Sequence, residues 1–163
     1  MTQADRPRPI AHVGVTVPDL DAAIAWYGDV LGFVPSSPPA DIRVDDGGHF
    51  GTLVGRVFGP RCKHMRAVML DVGEGAALEL FQFVDPPYEQ PDDDFAWWRG
   101  GIFHFCVIEP DVAGLAERIV AAGGRQLSPV QAMNEGEPDR FAYCQDPWGI
   151  VIEVCSRRPE QTG

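Results

Sequence analysis

Apolar and polar positions alternate along "HVGVTV" from His12 and again along "HFCVIE" from His104. Each run closes on Pro-Asp ahead of a stretch with apolar residues at helical spacing. Alternation at period two is the mark of a half-buried strand. Pro18 and Pro110 end the strands, and Asp19 and Asp111 stand where a helix N-cap is expected. The first predicted helix runs through "DLDAAIAWYGDVLG" to about Gly32, the second through "DVAGLAERIVAAGG" to Gly123 and Gly124. Glycine is favoured there because a helix often ends in a left-handed residue. His104, Pro110 and Asp111 follow His12, Pro18 and Asp19 by 92 positions each, with no gap. The chain carries two copies of one unit.

Further strand-like runs follow each helix: "RAVMLDV" and "AALELFQF" in the first half, "RFAYCQD" and "GIVIEVCS" in the second. The expected fold class is α+β, with a first β-α-β-β-β module over residues 8–84 and a second over 101–156. The last strands correspond too, because Glu79 follows Gly75, and Glu153 follows Gly149, by four positions. Asp146-Pro147 and Gly149 mark a tight turn into the final strand. The tracts "PSSPPADIRVDDGGHFG" and "GPRCKH", and the connector "VDPPYEQPDDDFAWW", are rich in Pro, Gly and Asp and are expected as surface loops.

If the two copies fold alike, His12 and His104 occupy equivalent positions on first strands, and Glu79 and Glu153 equivalent positions on last strands, so that the four converge. His104 then shares a face with Cys106, and Glu153 with Cys155, while Phe103 and Ile152 turn to the other side. A carboxylate within "ALELF" or "VIEVC" is the odd residue of its run. Burying it ionised among Val, Ile and Leu costs several kcal/mol unless a cation or donors offset the loss of water. A divalent metal held by two imidazoles and two carboxylates does so, and the mixed N/O set suits Zn, Ni, Co, Mn or Fe. Taken singly each residue has a plainer reading: a strand His is more often a hydrogen-bonded structural residue, and a strand Glu can face water. Four at matched positions are harder to dismiss. Thr16, Phe81 and Cys106 share the ligands' faces and are expected to line a partly apolar substrate cavity.

Cys62, His64 and His49 are rival zinc ligands, but their spacing fits no paired-ligand pattern. The acidic tract "EQPDDD" is expected as a solvated loop, lacking calcium-site spacing. Trp97 and Trp98 are expected in the core or at a dimer contact, with a lid over the cavity as the alternative.

Length and charge narrow the partners. A chain of 163 residues is about one domain. A formal charge of -11 with no basic stripe repels phosphate, which excludes nucleic acid and anionic membranes as partners and leaves a small molecule or a protein. No apolar run approaches a membrane span, and "MTQADRPRPI" lacks a secretory core, so the cytoplasm is the expected location. The four cysteines, without C-x-x-C spacing, are expected as reduced thiols.

The stretches "AHVGVTVPDLDAAIAWYGDVLGF", "AALELFQF", "FHFCVIEPD" and "DPWGIVIEV" resemble the vicinal oxygen chelate superfamily. It holds glyoxalase I, methylmalonyl-CoA epimerase, extradiol dioxygenases and the bleomycin and fosfomycin resistance proteins. The resemblance implies that the two modules form one domain, a cupped, barrel-like mixed sheet around a metal site, with His12, Glu79, His104 and Glu153 on the four ligand strands. Extradiol dioxygenases and fosfomycin-resistance enzymes leave the position of Glu79 unused, and methylmalonyl-CoA epimerases usually have Gln there. The glyoxalase I set, His or Gln, Glu, His, Glu, is the one matched. A lyase or isomerase with one divalent metal per site is therefore implied, chelating vicinal oxygens of a small oxo substrate and moving a proton through an enediolate. By the same resemblance Glu153 is the base, Glu79 acts on the opposite face, and the protein is a homodimer. An Fe(II) extradiol-type dioxygenase, or a small-molecule binding or resistance protein, is the alternative. The insertion between Pro35 and His64 and the Trp-rich connector are not typical of the short bacterial glyoxalases.

Overall fold

The computed structural model describes residues 8–91 and 95–158. Most of the N-terminal stretch read above for export, and residues 92–94 of the acidic tract, lie outside the described residues. The chain divides into two compact units, Met1–Glu89 and Gln90–Gly163.

The first unit contains β1 (His12–Thr16), α1 (Leu20–Leu31), β2 (Val34–Pro35), β3 (Ala40–Arg43), α2 (His49–Phe58), β4 (His64–Asp71) and β5 (Ala77–Asp85). Its sheet runs β1-β5-β4-β2, with β3 also paired to β4. The second unit contains β6 (Phe105–Ile108), α3 (Val112–Ala121), β7 (Arg125–Gln126), β8 (Gln131–Ala132), β9 (Arg140–Gln145) and β10 (Val151–Cys155). Its sheet runs β6-β10-β9-β7, with β8 also paired to β9. In each unit the first strand lies parallel to the last, and the remaining pairs are antiparallel. Two β-α-β-β-β units of one topology are the result, each with its outer strand broken into two short pieces.

The helices form where the caps direct them. Asp19 Oδ1 accepts from Ala22 N at 3.0 Å, and Asp111 Oδ1 from Gly114 N at 3.0 Å, which satisfies an amide the first turn leaves orphaned. α1 stops at Gly32, whose φ of 74° is left-handed, and Phe33 N closes the end on the Tyr27 carbonyl at 3.2 Å. α3 stops the same way, with Gly124 N on the Ile119 carbonyl at 2.9 Å and Gly123 at φ 88°. Leu20, Ala23, Trp26, Tyr27 and Val30 are the buried residues of α1, which packs on β5; Leu78 and Leu80 are the buried positions of that strand. In the second unit Val112, Leu115, Ala116 and Ile119 of α3 are buried, as are Ile152, Val154, Ala142 and Cys144 of the strands beneath. Each such large side chain contributes roughly 1.5–3 kcal/mol on leaving water. With the even-numbered residues of β5 committed to one core face, alternation turns Glu79 and Phe81 to the other.

The insertion expected as loop is structured. β3 pairs with β4 through Ala40↔Ala67 and Ile42↔Met65, and a ten-residue helix, α2, follows. Its Gly and Pro content disguised it, yet the glycines serve packing. A Cβ on Gly51 would stand 2.2 Å from the Arg43 carbonyl oxygen, and one on Gly55 2.9 Å from Val44 Cγ1. Only bare backbone lets the helix approach the end of β3 so closely. Val54 joins Ile42, Met65 and Cys62 in a small core, with Ala67, Phe81 and Phe83 against it. α2 therefore covers part of the sheet face opposite α1, the face that carries Glu79.

No helix among the described residues is long and apolar enough to cross a membrane. Trp97 and Trp98 are 59% and 62% exposed and pack edge to face on each other, so that of the core and the dimer contact expected for them the core is excluded.

Candidate functional site

Each unit brings one imidazole to one carboxylate. In the first, His12 opens β1 opposite Ala77, and Glu79 lies two residues further along β5 on the same face, opposite Gly14. His12 Nε2 stands 3.3 Å from Glu79 Oε2. In the second, His104 immediately precedes β6, one position short of the strand on which it was expected. Glu153 lies in β10 opposite Cys106, and His104 Nε2 stands 3.1 Å from Glu153 Oε2.

The turns fix both carboxylates. Asp71 Oδ1 accepts from Gly73 N at 2.8 Å ahead of β5. Asp146, buried, accepts from Trp148 N at 2.9 Å and Ile150 N at 2.8 Å ahead of β10, with Gly149 at φ 98°. This is the Asp-Pro-x-Gly turn expected from the sequence.

The donor geometry fits a metal. Two ligands about 2.1 Å from one ion at right angles stand about 3.0 Å apart, and both nitrogen–oxygen separations are close to that. With side-chain exposures of 26% for Glu79 and 19% for Glu153, both carboxylates have lost most of their water and need a compensating cation or donor. His104 Nδ1 is buried with no hydrogen-bond partner among the described residues, so the ring's polar contact is made through Nε2, toward Glu153.

The surroundings of the pairs differ. Glu79 lies between Gly14 on β1 and Met69 on β4. Two residues on, Phe81 faces Thr16 across the strands and reaches the Phe58 ring of α2 at 6.3 Å, with Phe83 6.2 Å beyond. Glu153 lies between Cys106 and Tyr143. The Tyr143 ring meets His104 edge-on at 5.3 Å, and Phe103 meets it from 4.3 Å. Burial and the neighbouring Glu153 charge push the Tyr143 phenol up from its ordinary value. Although Cys106 reaches solvent, desolvation of its sulfur, with Cys155 and Glu153 beside it, pushes its thiol up strongly. Burial alone pushes Cys144, on the opposite face, up to about 11. Cys106 Sγ, Cys155 Sγ and a Glu153 oxygen all lie within 4.8 Å of one another, a group able to hold a metal. The four cysteines are free, as expected.

The structure thus places Thr16 and Phe81 beside the first pair and Cys106 beside the second. Sequence reasoning missed Met69, Tyr143 and Phe58. It also turned Phe103 to the other face, whereas the Phe103 ring packs on His104 and Tyr143, because His104 lies just outside the strand and its alternation. Met69 and Tyr143 are the antiparallel partners of the two carboxylates and could be found only from the strand register; Phe58 needed the hidden helix. The rival zinc set does not assemble: Cys62 is buried in the core around α2, and His64 Nε2 pairs with Asp41 at 3.0 Å.

Comparison with known proteins decides the lineage. A family model, the Glyoxalase/Bleomycin resistance protein/Dioxygenase superfamily, matches residues 9–154. The chain belongs to this superfamily. Its members commonly bind a divalent metal. Among superfamily relatives, the chain is 29% identical over 159 residues to a 2-epi-5-epi-valiolone epimerase from Actinomyces, covering 94% of this chain and 83% of that one. It is 28% identical to an ethylmalonyl-CoA/methylmalonyl-CoA epimerase from Cereibacter sphaeroides, covering 88% and 93%. It is 27% identical to a lactoylglutathione lyase from Pseudomonas putida, covering 91% and 84%. A glyoxalase family protein from Bacillus cereus has the same fold at a TM-score of 0.68 and 21% identity, over 95% of this chain and 97% of that one. The relatives support an enzyme of lyase or isomerase type on the glyoxalase fold.

Proposed function

We propose that this superfamily member is a divalent-metal-dependent lyase or isomerase that binds vicinal oxygens of a small oxo substrate and moves a proton on the carbon beside the carbonyl. The observation that carries the reading is the matched pair in each unit, His12 with Glu79 and His104 with Glu153, at separations suited to adjacent ligands of one ion. In this reading the two pairs together are the ligand set, whether they come from one chain or from two. When bound, a Zn, Ni, Co, Mn or Fe ion supplies Lewis acidity to the substrate oxygens and to the negative charge that develops on them.

The residues supply the rest. Glu153 removes and returns the proton, with Tyr143 as its cross-strand partner and the Tyr143 ring against His104. Glu79 acts as ligand and as the base for the opposite face, which a change of configuration requires. Two of the relatives are named epimerases, and inverting a carbon beside a carbonyl needs removal on one face and return on the other. The apolar wall of Phe81, Phe83 and Phe58 shields the substrate's carbon skeleton from water. A cytoplasmic homodimer acting on a small molecule, with neither nucleic acid nor membrane as partner, belongs to the same proposal.

The test is elemental analysis of protein purified without added metal, together with solvent-deuterium exchange into α-hydroxy ketone and acyl-thioester substrates. One divalent ion per site, and exchange lost in Glu153→Gln, are expected. A metal-free native protein with exchange unaffected by Glu153→Gln would overturn the reading.

A further inference from the structure

We infer that the second unit carries a site for a thiophilic metal ion built from Cys106 Sγ, Cys155 Sγ and the Glu153 carboxylate. Cys106 and Glu153 are directly opposite on parallel strands, and Cys155 is two residues beyond Glu153 on the same face. The three donor atoms lie within 4.8 Å of one another. Two sulfurs at about 2.3 Å from a tetrahedral ion stand about 3.8 Å apart, so the group closes on an ion with side-chain adjustment alone. Two thiolates select Zn or its heavier relatives over hard ions such as Mg or Mn. Cys106 is exposed and gives an ion a way in, while Cys155, 3% exposed, anchors it.

Among the described residues the first unit has no counterpart. The residues there in the places of Cys106 and Cys155 are Gly14 and Phe81, so these donors belong to the second unit alone. The site shares Glu153 with the proposed reaction. An ion held by the thiols takes one oxygen of the Glu153 carboxylate, whose Oε2 faces His104.

The test uses full-length protein, reduced and stripped of metal, titrated with Cd2+ while the ultraviolet sulfur-to-cadmium charge-transfer band is followed. A band saturating at one Cd2+ per chain is expected. Cys106→Ser and Cys155→Ser should each weaken binding by about tenfold or more and shrink the band. His12→Ala should leave the band unchanged, which separates this site from the proposed catalytic metal. Because Cys106 is exposed, its serine variant keeps the core intact, and circular dichroism checks this. Absence of a band in the folded wild type would overturn the inference, as would a band that persists in the double variant or disappears in His12→Ala.

Discussion

The two units share one topology and one imidazole–carboxylate pair, yet their carboxylates have different neighbours. Glu79 lies between a glycine and a methionine, and Glu153 between a thiol and a phenol. Gly14 is itself constrained, since a Cβ there would stand 3.3 Å from Phe81 Cε2. The first unit gives its pair an apolar wall, completed by α2. The second supplies groups that donate protons. Strand pairing conserves where a carboxylate stands, because register and alternation decide that. Its chemistry depends on the cross-strand residues, which are free to diverge.

The largest expected effect sharpens this contrast. Glu153→Gln should lower kcat by about 10²–10⁴-fold, the usual contribution of a positioned acid or base. Tyr143→Phe should lower it less, and Glu79→Gln should lose metal and, once metal is restored, lose any change of configuration while keeping solvent exchange through Glu153. Kinetics paired with metal content separate the three, and equal losses of solvent exchange at Glu79 and Glu153 with metal retained would erase the asymmetry.

Stability tests the shared frame. Leu78 and Ile152 hold matching buried positions on the last strands, and Leu78→Ala and Ile152→Ala should each cost about 2–5 kcal/mol in denaturant unfolding. A negligible cost at either would break the structural equivalence. Gly51→Ala probes what only the first unit has. By forcing α2 off the Arg43 carbonyl it should cost about 1–3 kcal/mol and lower affinity for apolar substrates. The helix caps come next, Asp19→Ala and Asp111→Ala each costing about 1 kcal/mol by the same measurement.

The smallest effect is electrostatic. The Arg66 guanidinium, 2.9 Å from both Asp21 oxygens, holds that carboxyl below its ordinary value. A carboxyl lowered in the folded state contributes stability above its unfolded pKa and loses it as pH falls through the folded value. Asp21→Asn should therefore flatten the acid limb of the stability curve slightly and leave neutral pH almost unchanged. Melting curves taken from neutral pH down through the carboxylate range check this, and because Asp21 is exposed its effect should fade with salt.

The repeat at a fixed offset, the Asp caps, the glycine stops and the Asp-Pro-x-Gly turn were legible in the sequence because each is a local device acting within a few residues. The same local rules placed His12, Glu79 and Glu153 on their strands, and His104 within one position of its own. α2 was not legible. Its glycines signal a break to any local reading, and they are explained only by the Arg43 carbonyl and Val44 that they approach. Met69 and Tyr143 beside the carboxylates, and the gathering of Cys106 and Cys155 around Glu153, likewise depend on which strand pairs with which and in what register. Alternation along one strand fixes which face a residue takes. What stands beside it is decided by long-range hydrogen-bonded pairing, which only the tertiary structure contains.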